Sequence, residues 1–187
     1  MKKIIITCLF ITGLSLTLSA QEKLNINITK SNLHWYGYYT FYFGGHDGDI
    51  NLKEGYFIKT NGKITGGEFI IDMNSITNSD IEGKKGKVSL VNHLKDPDFF
   101  DVSKYPLGKL VITKVKYHDA THARLEADLT LKGITESINF QAEFNFEKKQ
   151  MTTKFKIDRT RWGVNYNSKM KDGAISDAVG FDITLSL

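Results

Sequence analysis

Cysteine is nearly absent from this 187-residue chain: Cys8 is the only one, and it lies inside an apolar N-terminal run. A chain with a single thiol closes no internal disulfide and builds no cysteine-based metal site. Proline occurs twice, at Pro97 and Pro106, so little interrupts extended backbone elsewhere. A strong charge of one sign is missing too. Lys and Arg number 25 against 21 Asp and Glu, and the two are interleaved. That leaves no concentrated basic face, so nucleic acid is not an expected partner. No Gly-x-Ser-x-Gly elbow and no His-Glu-x-x-His occurs, and the acids and histidines form no convergent catalytic set. His118 and His122 lie four apart, but their segment reads as a hairpin tip, and that spacing aligns side chains only on a helix. The expectation is a protein without catalytic residues, cofactor or metal.

What is present begins with export. Lys2 and Lys3 precede an apolar run from Ile4 to Leu18, and Ser19-Ala20 ends it with small residues. This is the layout of a secretory signal peptide, read here as residues 1–20 with cleavage after Ala20; the alternative is an uncleaved N-terminal anchor. The run is short for a stable membrane span. Acylation of Cys8 is disfavoured by the brief apolar stretch before it and by Thr7 beside it. The expected mature domain is residues 21–187, periplasmic or secreted. Without Lys2 and Lys3 the net charge falls from +4 to about +2.

The mature region alternates with period two. Ala123, Leu125, Ala127, Leu129 and Leu131 share one face; Ile138, Phe140, Ala142, Phe144 and Phe146 share another; Val179, Phe181, Ile183, Leu185 and Leu187 share a third. Half-buried antiparallel strands read this way, and a helix cannot. Weaker strands are expected over 24–29, 33–43, 48–53, 55–59, 64–73, 110–117 and 151–157. Asn61-Gly62, Lys132-Gly133 and Asp172-Gly173 supply turns. Lys87 to Lys95 alone follows a helical period, with Val88, Val91 and Leu94 three apart and Leu90 four before Leu94, and Asp96-Pro97-Asp98 ends it. The composition is all-β, with one short helix. An antiparallel up-and-down barrel of about eight strands fits best, since closure removes exposed edges; a β-sandwich is the alternative.

Several blocks are similar to those of the YceI family of secreted polyisoprenoid-binding-like proteins. They include Ser31-x-x-x-Trp35-x-Gly37, His46-x-Gly48, Gly66-Gly67-x-Phe69-x-Ile71-Asp72-Met73 and the long run from His93 through Asp96-Pro97-Asp98-Phe99-Phe100-Asp101 to Tyr105-Pro106. Leu129 to Thr135, Ile157 to Val164 and Ala174 to Asp177 follow in order. The resemblance implies a lipocalin-like barrel with a hydrophobic tunnel for an isoprenoid chain or isoprenoid quinone, and no catalytic residues. The expected partner is an apolar isoprenoid-type lipid, with a homodimer as a further candidate. Two stretches depart from the family pattern: Tyr38-Tyr39-Thr40-Phe41-Tyr42-Phe43 and Lys169-Met170-Lys171.

If the barrel is open, the inward residues expected to line it are Leu125, Leu129, Phe140, Phe144, Phe155, Ile157, Phe181 and Ile183; otherwise they fill each other's space. His93, Phe99, Phe100 and Arg159 are candidates for the mouth or headgroup. The adjacent Phe99 and Phe100 are expected one inside and one outside, as a lid over the ligand or else as a packed corner; His93 has the alternative of a helix cap, and Arg159 that of the partner of Asp172 or Asp177. Trp35 and Trp162 are expected in the core or barrel floor. A carbohydrate- or protein-binding sandwich would instead use exposed aromatics such as Tyr36, Tyr38, Tyr39 and Tyr42.

Overall fold

The computed structural model describes residues 21–41, 43–166 and 175–187. The stretch read as a signal peptide (residues 1–20), Tyr42, and the Lys169-Met170-Lys171 and Asp172-Gly173 readings fall outside them. The described strands are β1 (Gln21–Asn25), β2 (Asn32–Tyr39), β3 (Gly45–Asp49), β4 (Asn51–Thr60), β5 (Lys63–Asp72), β6 (Leu107–Tyr117), β7 (His122–Leu131), β8 (Ile134–Asn145), β9 (Gln150–Asp158) and β10 (Ile175–Ser186). Among the described residues one α-helix, α1 (Lys84–Lys95), lies between β5 and β6.

All ten strands belong to a single antiparallel sheet in the order β1-β4-β5-β6-β7-β8-β9-β10-β2-β3. The sheet curls until its ends meet, because β3 and β4 are two halves of one strand bent at Ile50, whose N–H donates to the Leu33 carbonyl at 3.0 Å. Counting that pair once and setting aside β1, which only pairs with β4, leaves a ring of eight strands. One curled sheet excludes the sandwich alternative, which needs two sheets packed face to face.

Local chemistry accounts for the curl. Asn61 and Gly62 both take positive φ, at 51° and 81°, as do Lys132 and Gly133, at 47° and 73°. Two successive left-handed residues make the tight turn whose twist matches flanking strands. Register shifts between Leu52 and Glu54 and between Ile112 and Lys114 mark bulges that sharpen the bend. The wall is tight between β7 and β8 but splits between β8 and β9, which pair only from Ala142–Thr153 to Asn145–Gln150. At the split Thr153 Oγ1 donates to the Gln141 carbonyl at 2.6 Å, and Phe140 stacks on Phe155 with centroids 4.6 Å apart.

The alternating residues behave as the periodicity predicts. Ala123, Leu125, Ala127, Leu129 and Leu131 are all buried, as are Ile138, Phe140, Ala142 and Phe144. Phe146 ends its alternation outside, 46% exposed. The helix begins three residues before the expected Lys87, since its first turn, Lys84-Lys85-Gly86, is polar and carries no apolar period. Its inward side is Leu90 and Leu94, four apart; Val88, expected on that side, is exposed. Lys95 Nζ donates to the Asn74 carbonyl at 2.7 Å and ties the helix end to the end of β5.

Candidate ligand-binding cavity

The barrel is solid at one end and hollow toward the other. The solid end holds Phe57, Ile64, Leu125 and Phe144, all almost fully buried. Phe57 meets Phe144 and Phe69 edge to face, at 5.8 and 5.1 Å between centroids. Tyr117 seals the same end, its hydroxyl accepting from the Ile64 N–H at 3.1 Å. Burial pushes the Tyr117 phenol above its ordinary value, against a smaller opposing effect of that hydrogen bond.

Beyond Phe69 lies a cavity of about 570 Å³. Its wall is almost wholly aliphatic and aromatic: Leu33 and Trp35 from β2, Leu52 from β4, Phe69 and Ile71 from β5, Leu110 and Ile112 from β6, then Met151 and Val179 across the barrel. Leu90 and Leu94 of α1 and the Phe99-Phe100 pair roof it.

Of the eight residues expected to line an open barrel, Leu129, Phe140, Phe155, Phe181 and Ile183 face this cavity. Leu125, Phe144 and Ile157 do not; they are buried in packed core. The correction has a simple cause. Period two sorts residues into inside and outside but carries no information about depth along the barrel. Depth depends on what the facing strands supply, and opposite Phe144 that is the ring of Phe57. The residues missed on β2, β5 and α1 carried a legible signal, since Leu33 and Trp35 alternate, as do Phe69, Ile71 and Met73.

All four mouth candidates border the cavity. Phe99 and Phe100 do so together, contrary to the one-in, one-out expectation. That expectation holds for extended chain; here the segment turns sharply, with Phe100 N–H on the Leu94 carbonyl at 3.2 Å and Asp101 at φ 47°. The His93 ring does not cap the helix. Its Nε2 lies 3.2 Å from Asp98 Oδ2, and the ring meets Phe99 and Tyr166 edge-on at 5.2 and 4.5 Å.

Arg159 is 5% exposed. Its guanidinium donates to the carbonyls of Ser176 (3.1 Å), Tyr166 (3.1 Å) and Val164, and to Asp177 Oδ1 (3.1 Å). That fork is occupied by backbone and leaves little capacity for an anionic headgroup. Trp162 is fully buried beside it in sequence, with its indole N–H on the Leu129 carbonyl at 2.8 Å.

Phe41 and Phe43 stand out at 70% and 108% exposure, and Phe43, Tyr38 and Tyr39 border the cavity. Beside them His46 also faces the cavity. Its Nδ1 lies 2.8 Å from Asp80 Oδ2, and its Nε2 3.0 Å from the Tyr39 hydroxyl. Asp80 arrives there because Gly48 lets the chain at Thr77 pack directly on β3: a Cβ at Gly48 would lie 2.0 Å from the Thr77 carbonyl oxygen. Partial burial works to raise the Asp80 carboxyl, but hydrogen bonds from His46, the Asp47 N–H and Asn78 outweigh it and hold the group below the usual carboxylate range. Neither Asp80 nor the link from Tyr39 through His46 carried a recognisable sequence signal.

His118 and His122 sit on an exposed hairpin, bonded to Gln141 and Asp119. Among the described residues no three His, Asp or Glu side chains form a metal-sized cluster. No helix among them is long and apolar enough to cross a membrane.

Comparison with known proteins adds the lineage. A family model described as a YceI-like domain matches residues 21–187. A UPF0312 protein of Pseudomonas putida strain W619 is 46% identical over 57 residues, 30% of each chain. A UPF0312 protein of Staphylococcus aureus strain USA300 is 31% identical over 93 residues, 45% of this chain and 52% of its own. The matches thus span about a third to a half of these relatives' lengths. Among solved structures, Burkholderia cenocepacia BcnA superposes with a TM-score of 0.67 at 15% identity, over 86% of this chain and 98% of its own. A mutant Campylobacter jejuni YceI protein gives 0.50 at 15%, over 98% and 97%. At that identity these two show a shared fold.

Proposed function

This chain belongs to the YceI-like family, and on that premise we propose that it holds one long apolar lipid of isoprenoid type in its barrel, outside the cytoplasm, and catalyses nothing. The observation that carries the reading is the cavity: about 570 Å³ of space walled by aliphatic and aromatic side chains. That volume is in the range of small-molecule sites, about 300–1,000 Å³. The groove lining offers few polar groups, and those of Thr153 and Arg159 are turned into backbone carbonyls. A polar ligand would find little to replace its water.

Energetics favour a long chain. Each buried CH₂ contributes about 0.8 kcal/mol, so one five-carbon isoprene unit gives at most about 4 kcal/mol gross. Association itself costs about 4–15 kcal/mol, so several units are needed for tight binding. Left dry and empty, a void of this size would cost on the order of 10 kcal/mol, comparable with the whole stability of a domain. A bound chain would remove that penalty.

Export fits the same reading: the Lys2-Lys3 start and the apolar run to Leu18 would direct the protein out of the cytoplasm, with residues 21–187 as the working domain. The test is to purify the protein without denaturation and identify copurifying lipid by native mass spectrometry. An isoprenoid chain at one per protein supports the reading.

A further inference from the structure

The cavity wall is mainly apolar; Thr153 and Arg159 border it with their donors on backbone carbonyls and His93 lies beside Asp98, while Tyr39 and His46 face the cavity near one edge of its mouth. Their polar atoms are linked to each other and to Asp80, Tyr39 Oη to His46 Nε2 at 3.0 Å and His46 Nδ1 to Asp80 Oδ2 at 2.8 Å. Asp80 is itself pinned by the Asp47 N–H at 3.0 Å and by Asn78, a residue only 4% exposed. The side chains of His46 and Asp80, from separate segments, therefore fix the direction of the Tyr39 hydroxyl at the cavity mouth.

The order of protons follows from the acid end. Asp80 is held below the usual carboxylate range, so it is ionised at neutral pH and can only accept. His46 Nδ1 must then carry a proton toward it, and in the neutral imidazole Nε2 is left as an acceptor. Tyr39 donates its only proton to Nε2. What the Tyr39 oxygen still offers the cavity is a lone pair.

We propose that Tyr39, oriented through His46 by Asp80, is a headgroup site that selects amphiphiles whose polar end donates a hydrogen bond, a terminal alcohol above all, over ethers, esters or plain hydrocarbons of the same chain. This rests on the cavity being a lipid site, and it specifies which lipids. A headgroup that only accepts meets an oxygen with no proton to give. A headgroup that donates completes the relay. His46 and Asp80 are positioning residues; Tyr39 touches the ligand.

The experiment compares three ligands sharing one isoprenoid chain: the alcohol, its methyl ether and the hydrocarbon. Affinities are measured at mildly alkaline pH for wild type and for Tyr39→Phe. The wild type should bind the alcohol about fivefold tighter than the ether, the fold-change of one net hydrogen bond. Tyr39→Phe should bind alcohol and ether alike, and a single cooperative thermal transition without ligand reports an intact barrel. Equal wild-type affinities for alcohol and ether overturn the headgroup site and leave the cavity reading standing. A preference that persists in Tyr39→Phe overturns it too. If the wild type binds none of the three, the cavity reading itself fails, and that comparison needs no variant to fold.

Discussion

The rings of Phe57 and Phe144 meet edge to face, 5.8 Å between centroids, in the end of the barrel that the cavity does not reach. The interior therefore has two parts with different consequences for mutation. Phe144→Ala removes a ring from close-packed core and should destabilise by about 3–5 kcal/mol. Added lipid should not change that loss. Phe181→Ala, on the cavity wall and packed against Phe155 at 5.3 Å, should cost less without lipid and weaken lipid binding. Urea unfolding of both variants, with and without a polyprenyl alcohol, separates the two; equal lipid dependence would contradict the division.

Arg159 and Asp177 form an ion pair at 3.1 Å, but one partner is buried and the other is 65% exposed. Asp177→Asn should therefore cost under about 1 kcal/mol. Arg159→Lys should cost about 2–4 kcal/mol, because a single ammonium cannot serve the carbonyls of Ser176, Val164 and Tyr166 together. Denaturant midpoints of the two variants check the order. If Asp177→Asn proved the worse, the side chain would owe its place to the ion pair and not to the carbonyls.

Much of this fold was legible because alternation is a local property. Leu125 and Leu129 announce themselves as inward in the same way, and both are inward. That one sits in solid core and the other on the cavity wall depends on which side chains face them across the barrel, a matter of depth that no period records. The doubled Phe99-Phe100 misled for a related reason. Its orientation is set by a left-handed Asp101 and a turn closing onto Leu94, and neither has a strong sequence mark. The Tyr39–His46–Asp80 link was invisible because Asp80 lies 34 residues from His46 and comes to it over a glycine.

That glycine makes a prediction of its own. Gly48→Ala should drive the Thr77 carbonyl off β3 and cost about 1–3 kcal/mol, as overpacking does. The same change should loosen Asp80 from His46. Hydrogen exchange at the Thr77 and Ser79 amides, now bonded to the Asp49 and Asp47 carbonyls at 2.8 Å each, would rise. Unchanged protection there would mean the strand end tolerates a side chain.

Asp80 also predicts an acid limb. Its carboxyl is depressed in the folded state, so its contribution is present above the ordinary unfolded value, about pH 3.9, and is lost as pH falls through the lower folded value. Asp80→Asn should therefore be less stable than wild type at neutral pH, and the gap should close progressively below about pH 4. A gap independent of pH would show that the carboxylate's charge is not what holds His46.

That the hollow end of the barrel holds an isoprenoid-type chain is tested most directly by native mass spectrometry of the protein purified without denaturation, followed by delipidation and thermal melting during titration with a polyprenyl alcohol. One apolar chain per protein is expected in the native sample, with a melting midpoint that falls on delipidation and recovers as the alcohol is added. A native sample free of lipid, with a midpoint that no polyprenyl alcohol raises, would contradict it.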